Sequence, residues 1–240
     1  MGHLDITIDF ETCAMSANAA PMQVAMVPWL RDNDMDPFCN EQEVSPFVGY
    51  VDLRTCVVDG FDFDPETIRW WAGRNAMAKE AVCKGEPDSV DNVLIGMLNY
   101  IRGLRANYEL TSICVWCQGM DFDIAILRNL CRKYGVELEE DIPHTQFRDC
   151  RTVIMEAALK RAYRLYREAI AQAESLSPDG TPSPLPDILP ADVLRGDYKI
   201  YNLFAPLPDR YAGGSEAHDA LYDAYRSSWN TWQALKWLNQ

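Results

Sequence analysis

Asp9 and Glu11 stand two residues apart in the alternating run Asp5-Ile6-Thr7-Ile8-Asp9-Phe10-Glu11. On an extended chain this spacing puts both carboxylates on one face, with Cα atoms about 6.6 Å apart, so both can reach one divalent ion. Without a cation, such close like charges raise one pKa and cost stability; an exposed acidic strand would hold the same pair. Asp123 closes Trp116-Cys117-Gln118-Gly119-Met120-Asp121-Phe122-Asp123, where a strand ends, a glycine turns and a helix begins. Taken alone, Asp123 reads as the N-cap of that helix. His218 and Asp223 lie five residues apart, about 140° of helical rotation. They converge only if His218 precedes the helix and Asp223 sits in its body. An imidazole with a pKa near 6.5 suits a general base at neutral pH, although a histidine before a helix is commonly structural or solvated.

The elements that must carry these residues follow from periodicity. Residues 5–11 read as a strand with Ile6, Ile8 and Phe10 toward a core and Thr7, Asp9 and Glu11 turned away. Residues 23–29 and 47–53 are two more strands, so the chain opens on three in succession, expected as an antiparallel meander, with a polar, acidic loop over 31–45. Helices are expected over 65–82, with Pro65 in a first turn, over 89–104 with one apolar stripe, over 123–134 ended by Gly135, over 152–173 and over 217–238. A short β-branched and aromatic strand falls at 111–116. This order predicts an α/β mixed sheet with three leading strands and flanking helices. The chain reads as one domain over 1–240, with a Pro/Gly-rich irregular insertion at 175–210 that is either a surface excursion or a substrate-facing lid.

Taken together, Ile8-Asp9-Phe10-Glu11-Thr12, the segment from Gly119 through Asp123 to Leu127, and Ala217-His218-Asp219-Ala220-Leu221-Tyr222-Asp223-Ala224 resemble the three motifs of the DEDDh branch of 3′–5′ exonucleases. A tyrosine branch would place Tyr where Asp219 stands. Thr67-Ile68-Arg69-Trp70-Trp71 and Asp149-Cys150-Arg151-Thr152 look like a bacterial and phage exoribonuclease-like subgroup. Cys13 and the 175–210 insertion depart from the pattern. The resemblance implies a ribonuclease H-like fold and two divalent ions, Mg²⁺ or Mn²⁺, held by Asp9, Glu11, Asp123 and Asp223. It makes His218 the base that activates water, and a nucleoside 5′-monophosphate the product released from a single-stranded RNA or DNA 3′ end. Dimers are common among such enzymes. Two other activities fit the same residues: a binding module that has lost its chemistry, and a phosphodiesterase acting on oligonucleotides or small nucleotides.

A net charge of −14 argues against binding nucleic acid or anionic membrane through bulk charge, so substrate grip needs a local basic strip. Arg148, Arg151, Lys160, Arg161, Arg164 and Arg167 face only Asp149 and Glu156 over 148–167. With Tyr163 and Tyr166 nearby, this stretch could track a single strand, or it is a solvated helix face. Thr12, Arg148, Arg151, Arg161 and Arg164 are the substrate-binding candidates. The apolar content, 48%, excludes wholesale disorder, and no apolar run approaches ~18 residues, so no membrane span is expected. The start Met1-Gly2-His3-Leu4-Asp5 reads as no export signal, which suggests a cytoplasmic protein with its eight cysteines as free thiols. Cys114 and Cys117 have CxxC spacing but no matching second pair, and they fall in an apolar strand, so packing explains them better than zinc or redox chemistry. Trp70 and Trp71 could stack on a base, although neighbouring aromatics on a helix more often belong to a core.

Overall fold

Alternation along the first strand sets the architecture. β1 (His3–Thr12) buries Leu4, Ile6, Ile8 and Phe10 on one face. It pairs antiparallel with β2 (Pro21–Trp29), placing Asp9 opposite Ala25 and Glu11 opposite Gln23. β2 pairs antiparallel with β3 (Phe47–Tyr50), so the leading meander is as expected. β3 is shorter than the expected 47–53 because Asp52 accepts from the Arg54 N–H and starts a helix, α1 (Leu53–Val58). The computed structural model describes residues 2–38, 44–175, 187–196, 198–212 and 217–239.

The expected helix over 65–82 is two helices, α2 (Pro65–Ala72) and α3 (Ala76–Ala81), because Asn75 accepts from the Ala78 N–H and caps a new start. α4 (Val90–Asn107) carries the predicted apolar stripe through Val90, Val93, Leu94, Met97, Leu98, Ile101 and Leu104. β4 (Ser112–Cys117) runs parallel to β1. A wide helical turn over Met120–Ile124 leads into α5 (Ala125–Lys133). α6 (Leu138–Asp141) precedes β5 (Phe147–Asp149), a strand not expected from the sequence, parallel to β4. The sheet order is β3-β2-β1-β4-β5, a mixed α/β sheet. One large cluster joins the inner faces of β1, β2 and β4 to α4 and α5.

α7 (Cys150–Ser175), α8 (Pro190–Leu194), a tight turn over Tyr198–Leu203, α9 (Asp209–Ala212) and α10 (Ala220–Leu238) complete the described chain. Residues 176–186 and 197 of the expected insertion lie outside the described residues. The described remainder contains α8, the 198–203 turn and α9, so it is helical in part where an irregular course was expected. The chain divides into two compact units, Met1–Cys150 with Leu207–Trp229, and Arg151–Pro206 with Asn230–Gln240. In the first, Ala220 and Ala224 of α10 bury Ala25 and Val27 on the outer face of β2. The described cysteines are all free, and no described helix is long and apolar enough to cross a membrane.

Candidate active site

The first unit brings the acidic residues and the histidine to one place. Asp9, Glu11, Asp123, His218, Asp223 and Arg226 line a cavity of about 210 Å³. One ligand atom each from Glu11, His218 and Asp223 lie within 4.8 Å of one another. β1 supplies the two acids at a spacing of two, as its alternation requires.

Gly119 makes the approach of Asp123 feasible. Its φ of 127° lies where side chains are strongly disfavoured, and it turns β4 directly into the wide turn. Asp123 is not an N-cap. Its carboxylate accepts from the Phe10 N–H on β1 at 3.1 Å, which ties it between the two acids of that strand. The cap reading failed because the helix begins one wide turn earlier than its apolar periodicity suggests.

His218 precedes α10 and Asp223 lies within it, as their convergence demands. His218 has φ 75°, a left-handed conformation uncommon for a residue with a side chain. That bend lets its backbone N–H donate to Asp223 Oδ2 at 2.7 Å. A buried clamp holds the start of α10. Gln23 Oε1 accepts from the Ala220 N–H at 2.9 Å, and Gln23 Nε2 donates to Asp219 Oδ1 at 3.0 Å. Lys84 Nζ reaches Asp219 Oδ2 at 2.9 Å.

Buried acids crowd one another at the site. Burial and the Asp123, Glu11 and Asp223 charges push the Asp9 carboxyl well above its usual value, with Arg226 opposing. Burial, then Asp223 and Asp123, push Glu11 up to about 9. Burial also raises Asp223, against Arg226 and the His218 N–H. Asp223 Oδ1 accepts no hydrogen bond and faces Arg226 Nη2 at 3.1 Å. A set of hard oxygen donors that repel one another, one of them without a hydrogen bond, fits a divalent ion. Burial lowers the His218 pKa, reinforced by Arg74 and Arg226 and opposed by Asp223, so the imidazole is neutral at neutral pH.

A second cavity of about 450 Å³ adjoins these residues, lined among others by Glu11, Thr12, Trp70, Trp71, Phe122 and His218. Trp71 is buried, as the core reading expects, and its Nε1 donates to the Thr12 carbonyl at 2.9 Å. Trp70 is 41% exposed, so it is not core; its ring meets the His218 ring edge-on at 4.6 Å, with Arg74 over it at 4.2 Å. Thr12 Oγ1 donates to the Ala14 carbonyl at 2.6 Å. Arg148 is on β5, donating to the Thr145 and Phe147 carbonyls, and does not line either cavity. Arg151, Arg161 and Arg164 belong to the second unit. Sequence reasoning missed Arg226 and Gln23: one arginine on a helix reads as solvated, and Gln23 alternates as an ordinary strand residue. Cys114 and Cys117 are buried in β4, and burial raises both thiols, in keeping with packing.

Comparison with known proteins bears on this arrangement. The nuclease domain of 3′hExo, a DEDDh family member bound to rAMP, superposes with a TM-score of 0.53 at 11% identity, covering 97% of this chain and 92% of that one. This shows the ribonuclease H-like fold. Product-bound exonuclease I gives a TM-score of 0.47 at 15% identity, covering 100% of this chain and 44% of that chain. The chain therefore spans less than half the length of the exonuclease I chain. No curated protein matches it. A family model described as the Rv2179c-like 3′–5′ exoribonuclease domain matches residues 4–176, a span that holds Asp9, Glu11 and Asp123 and stops before His218 and Asp223. Matched over more than two thirds of its length, the chain belongs to the family of Rv2179c-like 3′–5′ exoribonuclease domains.

Proposed function

We propose that this chain removes nucleotides one at a time from the 3′ end of single-stranded RNA, releasing nucleoside 5′-monophosphates. The observation that carries the reading is the meeting of Glu11, His218 and Asp223 within 4.8 Å, in one cavity with Asp9 and Asp123. These residues come from three separate segments and include two beyond the family match. RNA is chosen over DNA because the family is described as exoribonuclease.

Asp9, Glu11, Asp123 and Asp223 would hold the divalent ions, two of them, Mg²⁺ or Mn²⁺. When bound, such ions stabilise negative charge on the attacking and leaving oxygens of a phosphoryl displacement. The protein's own residues do the rest. Neutral His218 accepts a proton from the attacking water, held in place by the Asp223–backbone bond. The cavity beside Trp70 and Phe122 admits the terminal nucleoside. Arg226, 3.1 Å from Asp223, offsets negative charge at the site before substrate arrives.

The test uses 5′-labelled RNA and DNA strands of one sequence, with Mg²⁺, beside EDTA and Asp9→Ala controls. A ladder shortening from the 3′ end, faster on RNA and lost in both controls, is the expected result. Two intact strands under both Mg²⁺ and Mn²⁺ would overturn the reading in favour of a binding module. Cleavage confined to dinucleotides would make it a small-substrate phosphodiesterase.

A further inference from the structure

The second unit holds a cation-rich cavity that hydrolysis does not use. Lys160, Arg161, Arg164 and Arg167, on successive turns of α7, line about 430 Å³ together with Glu168 and Trp237. Four cations against one carboxylate run counter to a chain with net charge −14. The Trp237 ring organises them. Phe204 stacks on it at 4.5 Å, nearly parallel at 12°, and the Arg161 guanidinium lies over it at 4.3 Å. Stacking on an indole fixes a guanidinium without using its N–H donors. Arg161 Nε is buried and has no hydrogen-bond partner, a state that costs free energy until an acceptor arrives.

The neighbouring side chains are placed by their own bonds. Lys160 Nζ donates to the Trp237 and Leu238 carbonyls at 3.0 and 3.2 Å. Arg164 Nε pairs with Glu168 at 3.1 Å, and Arg167 Nε donates to the Tyr163 carbonyl at 3.3 Å. Bonds through Nε orient the terminal forks, the part of arginine that grips phosphate in two places.

We infer that this cavity binds backbone phosphates of a single RNA strand, through residues separate from the hydrolytic centre. Its preference for phosphate rests on its own cations; naming RNA as the polyanion rests on the proposed exoribonuclease activity. Trp237, covered by Phe204 and Arg161, acts as a platform for the guanidinium and not as a base-stacking surface, so the grip is indifferent to sequence.

The test reads binding apart from cleavage. Anisotropy of a labelled RNA strand of about 20 nucleotides is measured in EDTA across a KCl series, since single-strand phosphate contacts contribute about 0.7 each to the salt slope. R161Q/R167Q should weaken binding roughly tenfold or more and flatten the slope by about 1.4. R161K/R167K should restore the slope and only part of the affinity, because an ammonium does not fork. Unchanged affinity and slope in R161Q/R167Q, with wild-type melting, would overturn the proposal. If that variant melts early, R164Q decides: its exposed side chain can be changed without unfolding, and an unchanged slope again overturns it. Inorganic phosphate competing as well as the strand, phosphate for phosphate, would mean a small-anion site and also defeat it. Cleavage in Mg²⁺ separates the two claims. Strand shortening with arginine-independent binding removes the cavity and leaves hydrolysis standing; arginine-dependent binding with no shortening does the reverse.

Discussion

Asp9 works against the stability of the protein that carries it. Its carboxyl is pushed well above its usual value by burial and by three neighbouring acids, and Glu11 is pushed from 4.5 to about 9. A raised acid pKa means that the folded state keeps protons the unfolded chain has released. The contribution of Asp9 and Glu11 to the stability of the metal-free protein is therefore fully present below about pH 4 and is lost as pH rises toward 9. Melting curves in EDTA should fall steadily from pH 5 to 9, and Mg²⁺ should reverse the loss. Asp9→Asn should melt higher than wild type in EDTA at pH 8, by roughly 2–4 °C per kcal/mol of relieved repulsion, and lower than wild type in saturating Mg²⁺, with no cleavage in either. Equal melting in all four samples would contradict the electrostatic account. His218 permits a second residue-scale separation. Its φ of 75° suits glycine better than histidine, by about 1 kcal/mol. His218→Gly should fold at least as well, lose about 10²–10⁴ in kcat, and recover part of it when imidazole is added to the buffer, because the adjoining cavity of about 450 Å³ has room for the ring. These residue identities were legible in the sequence as three short motifs. Arg226 was not, because its role depends on facing Asp223 and not on its place in a pattern.

At the scale of elements, the start of α10 sets the geometry of His218, the proposed base. Gln23 on β2 holds both the Ala220 N–H and the Asp219 carboxylate, and Lys84 closes the clamp from the segment after α3. Gln23→Ala leaves the buried Ala220 N–H unsatisfied, at about 1–3 kcal/mol, while Asp219 keeps the Leu221 N–H and Lys84. Because Gln23 lines neither cavity, kcat should fall about tenfold with KM near wild type; a change in KM alone would make the clamp part of substrate binding. The strands were readable because alternation is a local signal, and α4 because its stripe is long. The break between α2 and α3 was also present in the sequence, as Asn75 just before Ala76, but an apolar window spanning both helices hid it. β5, with three residues, is too short for any periodicity and exists only because β4 offers an edge.

For the whole molecule, the first unit is discontinuous, Met1–Cys150 completed by Leu207–Trp229. A chain stopped at residue 176, the end of the family match, would lack His218, Asp223 and the Ala220–Ala224 cover over Ala25 and Val27. Such a truncation should bind hydrophobic dye, melt several degrees lower and show no cleavage; full activity would remove His218 and Asp223 from the mechanism. Net charge misled least at this scale, since acidity overall coexists with a local basic cavity. That Glu11 must meet His218 and Asp223 across some two hundred residues also imposes a schedule. Pairing of segments so distant is slow and late in folding, so a growing chain emerging from the ribosome displays its first acids long before it has a base. On the proposed mechanism it would cleave no RNA during that interval, and activity would appear only when the segment carrying His218 and Asp223 folds back.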